Sequence, residues 1–382
     1  MKSRRSSDWK KLVLVISDLH LGAGKQLRGR RNLLEDFHYD SELIDFLNYH
    51  CSGEYEAKPV ELVINGDFFD FLAVPYVEFF DDEFWSEEAC LEKLRIIMRA
   101  HRPVMQALKH FVSMPNKSIV YIIGNHDAEL IFDSVKQEFK AFFGKELEDR
   151  VRIDNSLHTH VPIPGVYIQH GHQYERAHEF DPEESIVEVQ GGGRYFIPSW
   201  GSYYVINVIN RYKQERPHIN AVRPIKHFII HGLIFDTFFT LRFILSNIHY
   251  YFMVRFWYYI KLKVGWRRVV GDLVRELTLF QDFETLTREF FSAKPQARLL
   301  VVGHTHNPSL RLFSDGTAFI NTGTWTKMVN LDLSQGQDSL SLPYARIAAF
   351  EDHVDVTQFE NQVEFDLRVW TGLRNLPYKD FN

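Results

Sequence analysis

The sequence predicts an α/β protein built on a mainly parallel sheet, with a second sheet packed against it. Three observations carry that expectation. Five short apolar runs, "KLVLVI" 11–16, "VELVI" 60–64, "SIVYII" 118–123, "GVYIQ" 165–169 and "RLLVV" 298–302, have the length and unbroken hydrophobicity of strands buried on both faces. Helical patterns separate the first few, as crossovers between parallel strands require. Beyond residue 315 the texture turns β-rich, in "TAFIN", "YARIAAF" and "DVTQF".

The helices have recognisable starts and stops. Residues 41–50 repeat Leu43, Ile44, Phe46 and Leu47 at helical spacing. A second helix, 86–101, begins at Ser86 as N-cap, with Glu87 and Glu88 in the first turn where the helix dipole favours them. Pro103 ends or kinks it. A third helix fits 128–143 and stops at Gly144.

Composition bounds the class. The chain has 382 residues, 45% hydrophobic and 25% charged, enough for one large folded domain or two ordinary ones. Its two cysteines, Cys51 and Cys90, make no disulfide framework, which suits a reducing compartment. The basic N-terminus is followed by an apolar run too short for a secretory signal, so the expectation is a cytoplasmic protein.

The residues just past each strand carry the chemistry. After the five runs come "SDLHLG", "NGDFFD", "GNHDAE", "HGHQYE" and "GHTHNP". In an open α/β sheet, ligands sit beyond the carboxyl ends of the strands, and here each such end bears Asp, Asn or His. Glycines let the backbone turn beside most of them. Asp18, His20, Asp67, Asn125, His170, His304 and His306 form a nitrogen and oxygen donor set without thiolate. It suits Mn²⁺, Fe or Zn²⁺ rather than a structural zinc. Seven ligands with one shared carboxylate supply two ions, Mn²⁺ by first choice. Such a pair clamps both oxygens of an in-line displacement and acidifies a shared water.

At these blocks the chain resembles the calcineurin-like metallophosphoesterase superfamily. The matching stretches are "DLH" 18–20, "GDFFD" 66–70, "GNHD" 124–127, His170 and "GHTH" 303–306, in that order. The resemblance covers roughly 10–190 and 295–360. It implies a β-sandwich flanked by helices and hydrolysis of phosphoester or pyrophosphate bonds. By position, Asp18, His20 and His306 would hold one ion. Asn125, His170 and His304 would hold the other, with Asp67 bridging. His126 matches the family's general acid, and Asp127 would orient its imidazole. In "HGH" the ligand is taken as His170, which directly follows the strand. His172 is then an outer support, a substrate contact or a surface histidine, and Asp70 a structural support.

Three further features bear on substrate. The loop "LGAGKQLRGRR" 21–31 offers Lys25, Arg28, Arg30 and Arg31 as phosphate contacts, against the alternative of a solvated basic loop. "GGGR" 191–194 reads as a hinge into an insertion, with Arg194 a further candidate contact. The insertion, 195–290, separates core parts 10–194 and 291–365. Residues 201–268 hold eleven Lys/Arg against Glu215 and Asp236, interleaved with aromatics. Charges at Lys226, Asp236, Arg242, Arg255 and Lys261 interrupt every apolar stretch of 225–262, so none spans a bilayer.

The insertion is thus a helical hydrophobic cap. It either packs as a buried subdomain, lies against an anionic inner-membrane face or grips acyl chains. Within the superfamily the chain most resembles the UDP-2,3-diacylglucosamine pyrophosphohydrolase-like branch, whose members carry such an insertion. His126 departs from it, since that branch usually has arginine there. The expected substrate is a phosphorylated small molecule or lipid. The alternatives are a nucleic-acid or cyclic-nucleotide phosphodiesterase and a non-catalytic membrane scaffold.

Overall fold

The computed structural model describes residues 8–75, 85–154, 159–262, 283–330 and 341–372, apart from single positions. Part of the expected cap, 263–282 with Trp266, lies outside the described residues. The first part of the chain runs β1 (Lys11–Ile16), α1 (Asp40–Tyr49), β2 (Val60–Asn65), α2 (Glu87–Ala100), α3 (Arg102–Ser113), β3 (Lys117–Ile122), α4 (Asp133–Ala141), β4 (Val151–Asp154), β5 (Thr159–Ile163) and β6 (Val166–Gln169). The second runs α5 (Ile225–Phe235), α6 (Thr237–Leu262), α7 (Phe283–Ala293), β7 (Leu299–Val302), β8 (Ser309–Leu312), β9 (Ala318–Asn321), β10 (Pro343–Ala349) and β11 (Val363–Val369). Shorter pieces are named by their residues.

The five apolar runs divide between two sheets. The first has the order β11-β10-β1-β2-β3-β4, parallel from β1 to β4. The second has the order β8-β9-β7-β6-β5, with β6, β7 and β9 parallel. Period-two alternation shows why the sheets face each other. Val13, Val15, Val63, Val120 and Ile122 point to a shared core with Ile168, Leu299, Val301 and Ile320 of the second sheet. Leu12, Leu14, Ile16, Leu62, Ile64 and Tyr121 point the other way, onto α1 to α4. Behind the second sheet, Leu300 and Val302 pack on Phe290 of α7. Each fully buried aliphatic contributes about 1.5–3 kcal/mol, so both strand faces are strongly specified.

Register brings the functional ends together. Ile16 lies opposite Ile64, and Asn65 opposite Ile122, so β1, β2 and β3 stop nearly level. In the second sheet Val301 lies opposite Ile168. All five ends open onto one edge of the sandwich.

Several expectations need correction. "YARIAAF" joins the first sheet, not the second: β10 pairs antiparallel with β1, Ile347 opposite Val13. "DVTQF" is not a strand, because the Asp355 carboxylate accepts from Thr357 N at 2.9 Å and turns the chain into a short helix. Pro103 does not end α2. That helix stops at Ala100, and the proline sits in the first turn of α3, where no helical N–H is required. Residues 128–143 form no single helix. Ala128–Ile131 is a 3₁₀ turn, and α4 starts only after Phe132 turns extended. The Ser86 cap is present, accepting from Ala89 N at 3.2 Å. Of the expected hinge 191–194, position 191 lies outside the described residues, and Gly193 and Arg194 belong to a ribbon in which Gly193–Phe196 pairs with Ile186–Val189.

The cap region is helical where described. Trp200–Tyr204 and Asn210–Lys213 flank a wider π turn at Val205–Ile209. The joint between α5 and α6 is Asp236. Val208, Tyr212, Ile219 and Phe239 make its own small core. It is tied down over the strand ends: Asn210 Nδ2 donates to Leu72 O at 2.8 Å, and buried Lys213 donates to Leu34 O at 3.1 Å and Asp36 Oδ2 at 2.7 Å.

Candidate metal centre

The loops after the strands are laced to one another. Asp18 N donates to Gly66 O, His20 N to Asp67 O and Gly303 N to His170 O, at 3.1, 2.9 and 2.8 Å. Two glycines are present for space rather than for turning. A Cβ on Gly124 would lie 2.2 Å from Asp67 Oδ1, and one on Gly303 2.4 Å from Asp18 Oδ2. Gly66 and Gly171 do take the sharp turns expected of them, at φ 77° and 115°, and so do Asp18, His20, Asp67, His304 and His306, these five with φ between 50° and 68°. Such a conformation costs on the order of 1–2 kcal/mol in a non-glycine residue. Among the described residues only Arg28 and Asn116 share it outside this cluster and the glycines. Strain is concentrated at this edge, and the laced loops hold it there.

Asp18, His20 and His306 offer donor atoms within 4.8 Å of one another, as do Asp67, His170 and His304. His306 Nε2 lies 3.4 Å from Asp18 Oδ1 and 3.1 Å from His20 Nε2. His170 donates from Nδ1 to Asn65 O at 2.7 Å, which leaves Nε2 as its donor nitrogen, 3.3 Å from Asp67 Oδ2. Asp67 is buried, with Oδ1 accepting from His126 N at 2.8 Å. Burial lowers the His170 pKa, but Asp67 and Asp18 overcome it and lift it to about 10.

Two buried atoms among these residues make no hydrogen bond, His170 Nε2 and Asn125 Oδ1. Buried polar atoms ordinarily have partners, and imidazole, carboxylate and amide oxygen match a divalent ion. The residues present therefore fit a metal pair.

His126 is oriented by a different carboxylate from the expected one. Its Nδ1 lies 3.0 Å from Asp70 Oδ1, and its ring meets His20 edge-on at 4.6 Å. Burial pushes its pKa down, while Asp70 and Asp67 pull it up further, to about 9. Asp127 turns away. Its carboxylate accepts from Phe68 N at 2.9 Å, Tyr121 Oη at 2.6 Å and Gly124 N at 2.6 Å. It braces the two loops that carry Asp67 and Asn125.

Glu175 and His178 were not among the residues singled out by sequence. Glu175 Oε2 accepts from His304 Nε2 at 2.5 Å, and His178 Nδ1 lies 3.3 Å from Asn125 Nδ2. With His304 these two form a further group of close donor atoms. Burial would raise the Glu175 pKa, but His304 and His178 hold it down to about 2. The signal was the "HGHQYERAH" stretch, legible only once the loop after β6 folds back over His304.

The basic candidates separate. Lys25 and Arg31 line the cavity in front of the cluster, together with Lys213. Arg28 and Arg30 are exposed on the ribbon Gln26–Leu27/Arg30–Arg31 and do not line it. Arg194 is engaged elsewhere, 3.2 Å from both oxygens of Glu87 and over the Phe132 ring. His172 is fully buried and stacks on Phe180, centroids 5.0 Å apart. It is not a surface histidine.

The cavity has a volume of about 1940 Å³. It is lined by His20, Asp67, Asn125, His126, His304 and His306, and by Trp200, Tyr204, Phe243, Ile244, Ile248 and Tyr250 of the cap.

The sequence matches the calcineurin-like phosphoesterase family over residues 11–308. No curated protein matches it. Solved structures similar to it include a dimetal phosphatase from Danio rerio, at 12% identity over 90% of this chain and 94% of that one, with a TM-score of 0.33. A zinc complex of Vps29 from Entamoeba histolytica shows 10% identity over 94% and 99%, with a TM-score of 0.25. Phosphopantetheinyl hydrolase from Mycobacterium tuberculosis shows 11% over 83% and 91%, with a TM-score of 0.30. Likenesses this distant carry nothing about substrate.

Proposed function

Since this chain belongs to the calcineurin-like phosphoesterase family and is a phosphoester hydrolase, we propose that it uses two divalent ions on an amphipathic, lipid-linked substrate resembling a UDP-diacylglucosamine. The observation that carries this reading is a cavity lined both by the candidate metal ligands and by aromatic and aliphatic side chains. A small, wholly polar substrate would leave that apolar lining without use.

Asp18, His20 and His306 would hold one ion, and Asn125, His170 and His304 the other, with Asp67 shared between them. Bound there, the ions would supply Lewis acidity toward a phosphoryl oxygen and acidify the attacking water. His170 is fixed in one tautomer by Asn65, and His304 by Glu175, so each presents a defined nitrogen.

His126 holds the proton for the leaving oxygen. Its Nδ1 is occupied by Asp70, which leaves Nε2 to donate, and the surrounding carboxylates keep the ring charged at neutral pH. Lys25 and Arg31, which line the cavity, would contact a second phosphate or other anionic group of the substrate.

The test compares diesters of p-nitrophenol with and without a long acyl chain, in Mn²⁺. Turnover that requires the metal and rises in kcat/KM with the acyl chain supports the reading. No turnover with Mn²⁺, Zn²⁺ or Fe²⁺ would refute the hydrolase assignment, and indifference to the acyl chain would remove the lipid-linked substrate.

A further inference from the structure

We propose that the corner where α5 meets α6 docks the protein on an anionic lipid surface, with Phe235 and Phe238 entering the bilayer interface. These two rings flank Asp236 and are 84% and 80% exposed. Ile234 beside them, and Leu245, Phe252 and Met253 further along α6, are each more than half exposed. Of the sixteen large apolar side chains exposed among the described residues, ten fall within 230–253, so the exposure is one surface and not a scatter.

Charge selects the occupant. Residues 201–268 contain eleven Lys/Arg and only two acidic residues, so the segment keeps a net positive charge although Lys213, Arg216 and Arg242 are paired. Asp236 Oδ2 accepts from Arg216 at 2.6 and 3.0 Å, and Glu215 pairs with Arg242. A second copy of this chain would bring two cationic segments together, whereas phosphatidylglycerol or another anionic lipid complements one. Basic residues interleaved with large aromatics are the composition of a helix lying in the interface. Among the described residues no helix is long and apolar enough to cross a membrane, so the contact is with the surface.

The surface also adjoins the cavity. Ile248 and Phe252, exposed on α6, line the same cavity as His126. A molecule with its apolar part in the bilayer would meet the cavity mouth without leaving the lipid.

The experiment is flotation of the full chain with vesicles of phosphatidylcholine alone or mixed with phosphatidylglycerol. The wild type should float with the mixed vesicles, less at high salt. Phe235→Ser/Phe238→Ser should lower that partitioning by on the order of tenfold per ring, with Mn²⁺-dependent hydrolysis of soluble bis(p-nitrophenyl) phosphate unchanged. Leu241→Ser/Leu245→Ser, with its melting temperature checked, repeats the test should the first variant fail to fold. A wild type that stays unbound, or variants that float as well as it does, overturns the proposal. So does sedimentation showing a dimer that the double substitution makes monomeric, since a second copy would then own the surface. Flotation needs no turnover, so its failure and that of the hydrolase reading are read separately.

Discussion

Asp70 Oδ1 lies 3.0 Å from His126 Nδ1, while Asp127, the sequence neighbour of His126, spends its carboxylate on Phe68, Tyr121 and Gly124. One aspartate aims the ring and the other braces the loops. Removing each should therefore do different damage. His126→Ala should lower turnover by about 10²–10⁴-fold with metal content retained. Asp70→Asn should lower it by about 10–100-fold, as loss of an orienting partner does. Asp70 also lies 3.7 Å from His20, so metal content is measured alongside. Full activity in the first variant would remove the role given to His126, and full activity in the second the role given to Asp70.

Asp127→Asn should act on stability first. An amide cannot accept from three N–H and O–H donors with a carboxylate's strength, and its own N–H₂ would face one of them. The expected loss is about 2–3 kcal/mol, read as a lower urea midpoint by circular dichroism. An unchanged midpoint would mean that the brace is dispensable.

Asp67 and His170 link metal binding to pH. In the metal-free protein His170 is protonated well above neutrality, because Asp67 and Asp18 outweigh burial and lift its pKa to about 10. An incoming ion must displace that proton. Mn²⁺ uptake should release protons in weak buffer and tighten as pH rises from neutrality toward about 10. Asp67→Asn should lower metal occupancy by elemental analysis; unchanged content would sink the shared carboxylate.

His101 anchors the loop that borders the cavity. Its Nδ1 lies 2.7 Å from Asp40 Oδ1 and its Nε2 3.6 Å from Glu35 Oε1, and Glu35 in turn accepts from Gly22 N and Gly24 N. Burial opposes the charged ring, but Asp40 and Glu35 raise its pKa from 6.5 to about 9. The raised value puts the stabilisation fully in place below about 6.5 and removes it as pH climbs through about 9. His101→Gln should thus cost on the order of 2–3 kcal/mol at pH 6 and much less near pH 10. Unfolding by urea at the two pH values checks this, and a constant gap would contradict it.

Much of this protein was legible in the residues. The apolar runs at 11–16, 60–64, 118–123, 165–169 and 298–302 are strands, because unbroken aliphatic stretches of that length leave little else to become. Their polar ends are recurrent, so the seven candidate donor residues could be named without coordinates. Where strand "YARIAAF" goes was not legible, because one alternating pattern serves either sheet equally well. Nor was the share of work between Asp70 and Asp127. Sequence adjacency favoured Asp127, but the direction of a side chain depends on the path its loop takes, and that path turns Asp127 toward Tyr121 and Phe68.

By itself the sequence determined which residue types meet at the strand ends, since alternation and burial fix where each strand stops and which residues leave it. Tertiary structure alone decided which atoms face which. Glu175 reaches His304 from a loop 129 positions away, Lys213 crosses to Asp36, and the cap sets an apolar wall over polar ligands. Those pairings depend on how two sheets, a cap and their loops pack together, and no local pattern encodes a distance between segments that meet only after folding.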